Sequence, residues 1–172
     1  MTVLSPDTHS AADVIRLLAL DPLPLEGGWF RRLAEAHVDH SSGRSARGGW
    51  SSACALFTPD GFSALHCLTS DEIWCFHAGD PLESLRLYPD SRSELVRLGL
   101  DPAASQRAQD VVRSGTWQGT RLQPGGRWAL VSCVVVPEFT WEGFRLGVRA
   151  ELVGRYPEWG TEIQALTRDG RP

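Results

Sequence analysis

Short runs of alternating apolar and polar residues fill most of the chain from residue 49 to about residue 153. Gly, Pro, Asp and Ser separate them, and they lie at 50–57, 62–68, 72–78, 83–88, 94–98, 108–112, 117–122, 127–136 and 144–153. Strands of this length and spacing are typical of a sandwich or barrel and not of a parallel α/β sheet. The same pattern predicts an extended segment over 29–38, followed by a polar loop.

Helical periodicity is confined to the two ends of the chain. Residues 10–20 carry an apolar stripe behind Ser10, a residue type that caps helix N-termini. Residues 157–168 carry Trp159 and Ile163 at helical spacing. The sequence therefore predicts an all-β fold with a short N-terminal helix and a short C-terminal helix.

Composition narrows the choice of partners. The chain has 172 residues, of which 42% are hydrophobic, and a formal net charge of -4. Its arginines are scattered singly, so no basic stripe for nucleic acid is expected. No apolar run reaches the roughly 20 residues that span a bilayer, and no secretory signal pattern is present, so we expect a cytoplasmic protein without a membrane partner. The four cysteines lack CxxC spacing, which favours reduced thiols.

The segment Gly61–Gly79 carries the most informative chemistry, because it places His66 and Glu72 six residues apart. Alternation predicts two strands joined by a polar turn at 69–71, a hairpin that brings both side chains to one concave side. Such a pair can hold a metal, or act as a general base with an orienting carboxylate. The alternative is a structural hydrogen bond that staples the hairpin.

Gly61–Gly79 resembles the first motif of the cupin superfamily, and Arg113–Gln118 resembles a reduced second motif. Four ordered blocks are similar to the small cupins labelled predicted sugar epimerases: 26–31, 66–82, 109–118 and 134–139. The resemblance implies a jelly-roll barrel or sandwich and a homodimer. It also implies one cupin domain over 1–172, with a β core at about 29–153.

The resemblance further implies a metal set of His66, Glu72 and Gln118, for Fe, Mn, Ni or Zn. Leu68 and Gln118 stand where the superfamily usually has metal-binding histidines. Glutamine is a poor ligand for these metals, so no obligatory cofactor is predicted.

The leading hypothesis is a small-molecule enzyme that transfers protons in the barrel, such as an epimerase, isomerase or cyclase. His66 would be the base or acid, Glu72 its orienting or second acid/base group, and Gln118 a hydrogen-bond donor to a substrate oxygen. One alternative is a metal-dependent oxygenase or lyase. Another is a non-catalytic protein that holds a metabolite.

Six residues are candidate contacts for a small-molecule ligand, such as a sugar or a carboxylate metabolite: Glu26, Arg47, Trp50, Trp74, Trp117 and Phe139. Glu26 precedes two glycines that either let backbone approach a ligand or form a plain turn. The tryptophans offer flat apolar faces to a ring, or else pack the sheets or a dimer interface. Arg47 could bind a carboxylate or be a solvated surface residue.

Overall fold

A computed structural model describes residues 3–36 and 49–168 of the chain. The strands are β1 (Asp21–Pro22), β2 (Trp29–Ala36), β3 (Trp50–Phe57), β4 (Ser63–Leu68), β5 (Asp71–Gly79), β6 (Leu82–Leu87), β7 (Ser93–Leu98), β8 (Gln109–Val112), β9 (Trp117–Leu122), β10 (Ala129–Val136) and β11 (Phe144–Leu146). The α-helices are α1 (Ala11–Leu18), α2 (Arg149–Arg155) and α3 (Gly160–Ala165), and single 3-10 turns lie at Pro102–Ala104 and Pro157–Trp159.

The strands form two antiparallel sheets that face each other. One sheet has six strands in the order β1-β2-β3-β10-β5-β8, and the other has five in the order β11-β4-β9-β6-β7. Each sheet also pairs strands that are distant in sequence, such as β3 with β10 and β4 with β9, as expected for a jelly roll. The predicted all-β jelly-roll fold with few short helices is therefore confirmed.

Helix α1 covers part of the outer face of the six-stranded sheet. The side chain of Ser10 accepts a hydrogen bond from the Asp13 amide while Asp13 bonds back to the Ser10 amide, a capping box that fixes where the helix begins. Val14 is fully buried against Leu56 and Leu130. The residues of β3 and β10 that face this helix, Leu56 and Leu130, are apolar because the helix covers them.

The C-terminal helices cover the outer face of the five-stranded sheet. Leu152 of α2 and Ile163 of α3 pack against Leu65 and Leu85, which point outward from that sheet. The strand predicted over 144–153 is wrong beyond residue 146, because α2 takes its place. The apolar residues in this run are compatible with both the strand period and the helix period. Packing on the apolar outer face of the five-stranded sheet favours the helix.

The predicted hairpin of β4 and β5 is also wrong, because the two strands belong to different sheets. β4 pairs with β9 and β11, whereas β5 pairs with β10 and β8. The turn between them crosses from one sheet to the other. Alternation along a strand indicates its two faces but does not identify its partners, so the short turn was misleading.

The interior between the sheets has an apolar end and a polar end. Phe76, Leu82, Val96 and Leu98 belong to one buried cluster at the apolar end. The buried polar side chains include His66, Glu72, Arg86, Gln118 and Thr120.

All four cysteines are free. None of the helices in the described part of the chain is long and apolar enough to cross a membrane.

We expect Leu65→Ala to lower the free energy of unfolding by about 3 kcal/mol, because it leaves a cavity between the five-stranded sheet and both C-terminal helices. Chemical denaturation followed by tryptophan fluorescence measures this loss. Leu100→Ala is the matched control, since Leu100 is 60% exposed and should change stability by no more than about 0.5 kcal/mol. Equal effects of the two substitutions would contradict this packing.

Candidate functional site

A cavity of about 250 Å³ lies at the polar end of the interior, lined by strands β2, β3, β5 and β10 of the six-stranded sheet, by the turn between β1 and β2 and by the segment before β11. Its walls are mostly apolar, with two acidic residues, Glu26 and Glu72, among the described lining residues. The remaining lining comprises Leu23, Gly27, Phe30, Arg32, Ser51, Ser52, Ala53, Ala55, Phe57, Trp74, Cys133, Val135, Phe139 and Trp141. Its volume equals that of about eight water molecules at roughly 30 Å³ each, so it suits a compact metabolite.

A bulge in β4 places the side chains of Ser63 and His66 on the same, inward side of the strand. Ser63 pairs with Thr120 and His66 pairs with Gln118. Between these pairs β4 advances by three residues and β9 by two, so β4 has one extra residue. Simple alternation predicts Ser63 on the outer face with Leu65. The extra residue instead brings Ser63 inward, where its hydroxyl donates to Glu26 Oε1 at 2.6 Å.

Gln118 on β9 is the centre of a buried hydrogen-bond network. Its Oε1 accepts from Trp74 Nε1 at 3.1 Å and from Arg86 Nη1 at 2.9 Å. Both partners can only donate, so the orientation of the amide is fixed. Its Nε2 therefore points to Glu72 Oε2, at 2.5 Å, and to His66 Nε2, at 3.3 Å.

The same network determines the tautomer of His66. Gln118 Nε2 is a donor, so His66 Nε2 must accept and the ring proton lies on Nδ1. That proton is donated to the Ala64 carbonyl at 2.9 Å. The imidazole also stacks on Phe144, with ring centroids 5.2 Å apart. The ring of His66 is thus fixed behind the cavity lining by hydrogen bonds at both nitrogens.

Glu26 reaches the cavity from the turn between β1 and β2. Gly27 has φ +101°, and a Cβ there would lie 2.5 Å from the Phe62 carbonyl, so the turn requires glycine. The backbone at Gly27 thus approaches the backbone of Phe62 closely. The Glu26 carboxyl lies 3.9 Å from His66 Nδ1. Burial, and then the neighbouring Glu72 carboxylate, raise the pKa of Glu26, although His66 and Ser63 act in the opposite direction.

Two further ionisable groups border the site. Burial raises the pKa of the Cys133 thiol well above its usual value, with Glu72 and Glu26 adding to the effect, so this lining residue is a neutral thiol. Arg86 lies behind the wall with 1% exposure, donates to Asp110 and sits over the Trp74 ring at 5.9 Å. Burial lowers its pKa, while Asp110 and Glu72 oppose that shift.

The structure brings together some of the predicted contact residues and separates others. Glu26, Trp74 and Phe139 line the cavity. Trp117 does not, because it points outward to the cluster under the C-terminal helices and lies beneath Arg145. Trp50, 40% exposed at the start of β3, is also outside the lining. Arg47 lies outside the described residues.

Sequence reasoning missed several members of the site. Cys133 follows from the inward alternation of β10. Arg86 alternates with Leu82 and Ser84 on one face of β6, and an arginine on such a face indicates a buried partner. Trp141 had no comparable signal, since it lies in the irregular segment before β11.

The three predicted metal ligands meet, but their arrangement does not fit a metal. The amide nitrogen of Gln118 stands between the imidazole and the carboxylate and donates to both. Turning its oxygen toward them would place the NH2 group against the donors of Trp74 and Arg86. Among the described residues, no three His, Cys, Asp or Glu side chains are grouped to hold a metal ion.

Comparison with known proteins gives a consistent family and fold. Residues 12–147 match the model of the Cupin superfamily (DUF985). A crystal structure of a protein from Shewanella oneidensis is 33% identical, with a TM-score of 0.83, and the match covers 94% of this chain and 99% of that one. A hypothetical protein from Leishmania major is 30% identical, with a TM-score of 0.83. The match covers 94% of this chain and 100% of that one.

A more distant structure supports the fold alone. Oxalate decarboxylase from Bacillus subtilis is 14% identical with a TM-score of 0.53, and the match covers 96% of this chain and 40% of that one. No curated protein matches this chain.

We expect Gln118→Leu to lower the free energy of unfolding by about 3–5 kcal/mol, because it removes a hydrogen-bond partner of buried Arg86 and Glu72. Denaturant titration measures the loss. Gln109→Leu, at an exposed position on β8, is the control and should change stability by about 0.5 kcal/mol or less. A loss no larger than that of the control would mean that the network contributes little.

We expect Glu26→Gln to become more stable relative to the wild type as pH rises above 4.5, the ordinary pKa of Glu26. Between that value and the raised folded-state pKa, the unfolded chain has lost the proton that the folded protein keeps, so wild-type stability falls with pH. Glutamine does not titrate. Unfolding free energies at a series of pH values test this, and a difference independent of pH would contradict the raised pKa.

Proposed function

This chain belongs to the DUF985 family of the cupin superfamily, and on that premise we propose that its barrel cavity catalyses proton transfer on a small molecule, as an isomerase or epimerase does. The observation that carries the proposal is a pair of carboxyl groups, Glu26 and Glu72, in the lining of one largely apolar cavity. Pairs of titratable groups in different environments are typical of acid/base sites.

The environments of the two carboxyl groups support different roles. Glu72 accepts a hydrogen bond from Gln118, which holds its carboxyl group in the cavity wall, and we assign it the role of base. Glu26 has a raised pKa, which favours the protonated form and therefore an acid. Glu72 would remove a proton from a carbon next to a carbonyl group, and Glu26 would return one to the intermediate. The two steps balance without an oxidant or a second substrate.

His66 and Gln118 act in this proposal as positioning residues. Gln118 holds the Glu72 carboxylate, and the His66 ring accepts from the same amide. This modifies the assignment predicted from the sequence, in which His66 itself was the base or acid and Gln118 donated to a substrate oxygen. The predicted homodimer and cytoplasmic location remain predictions.

Deuterium incorporation tests the proposal. Wild-type protein is incubated in D2O with a panel of hydroxy ketones, aldoses and amino ketones, and exchange of the C–H next to the carbonyl group is followed by NMR. We expect exchange with one class, falling by about 10²–10⁴-fold in Glu72→Gln and in Glu26→Gln.

Glu151→Gln is the control, because Glu151 is exposed on α2 on the far side of the five-stranded sheet and should leave the rate unchanged. Exchange that is equal in the wild type and in both cavity variants would contradict the proposal. Binding of a panel compound without any exchange would instead support a non-catalytic cupin.

A further inference from the structure

We propose that the ligand of the barrel cavity is a small organic cation, an alkylammonium compound, and this inference rests on the cavity being the functional site described above. It departs from the sugar or carboxylate metabolite predicted from the sequence. Three properties of the cavity carry it: the sign of its charges, the positions of its cations and the nature of its walls.

The charges that line the cavity favour a positive ligand. Glu26 and Glu72 both lie in the wall, close enough for the Glu72 carboxylate to raise the pKa of Glu26. His66, the nearest imidazole, has both ring nitrogens engaged by Ala64 and Gln118, so it offers no free N–H to an anionic ligand. A carboxylate or phosphate ligand would be repelled by the Glu72 carboxylate and would raise the pKa of Glu26 further, whereas a cation would be attracted by Glu72 and would favour loss of the Glu26 proton.

The arginines near the site are already engaged. Arg32 is the one cationic side chain among the described lining residues; it is 45% exposed and pairs with Glu35. Arg86 is behind the wall and donates to Gln118 and Asp110. Neither arginine makes a hydrogen bond or ion pair to Glu26 or Glu72, and Arg86 acts on Glu72 only from behind the wall, so no arginine donor of these two is directed at a ligand beside the two carboxyl groups.

The walls suit an alkylated cation better than a hydrated one. Five aromatic side chains contribute to the lining: Phe30, Phe57, Trp74, Phe139 and Trp141. Aromatic rings attract organic cations through their π electrons, and the interaction strengthens where water is excluded. A volume of about 250 Å³ admits a compact ammonium compound. An ammonium group also acidifies the neighbouring C–H, which agrees with proton transfer by Glu72.

The test compares choline with its uncharged carbon isostere, 3,3-dimethyl-1-butanol, and with propionate, by calorimetric titration of the intact protein. The isostere matches choline in size and shape, so the difference in affinity isolates the charge. We expect choline to bind at least about tenfold more tightly than the isostere. We expect Glu72→Gln to reduce this preference to about twofold or less, while Glu151→Gln leaves it unchanged.

Glutamine at position 72 can still accept from Gln118, so this variant should fold, and its unfolding transition is measured alongside. Equal affinities for choline and the isostere would overturn the inference. Binding of propionate that is lost in Arg32→Gln would overturn it as well, in favour of an anion site. Failure to bind any probe would refute the alkylammonium assignment, but deuterium exchange on the panel would still test the proton-transfer proposal separately.

Discussion

The Gln118 amide oxygen accepts from two groups that can only donate, Trp74 Nε1 and Arg86 Nη1, and the polar interior of the barrel depends on this constraint. Because the oxygen is fixed, the amide nitrogen must face Glu72 and His66. The direction of donation then continues through the ring of His66 to the Ala64 carbonyl. One side chain on β9 thus sets the direction of the hydrogen bonds that join side chains of both sheets.

This network also accounts for how the chain differs chemically from a metal-binding cupin. Where a histidine would direct a lone pair toward a metal, Gln118 directs N–H donors toward the imidazole and the carboxylate. The buried positive charge of Arg86 is near Glu72, but it acts from behind the wall and through the amide. The cavity itself is left with acidic and aromatic groups, which is the basis for both proposals about its chemistry.

Much of the fold was predictable because local patterns express it directly. The alternation of β9 and β10, the capping box at Ser10 and the ordered motif blocks each depend on neighbouring residues only. The predictions that failed concern long-range pairing. The β4–β5 hairpin and the strand over residues 147–153 were consistent with their own sequences, and only the partners across the sheets excluded them. The bulge at Ser63 likewise depends on its pairing with β9.

By itself, the sequence determined the fold class, the inward side of most strands and the involvement of His66, Glu72 and Gln118 in one buried cluster. The tertiary structure decided which atoms of that cluster donate and which accept, because hydrogen-bond direction is set by Trp74 and Arg86, which lie 44 and 32 residues away from Gln118. It also decided that Trp117 lies outside the cavity and that Glu26 lines it. The physical reason is that alternation indicates which face a side chain takes, whereas a cavity is formed only when strands distant in sequence and the segments that cover them come together.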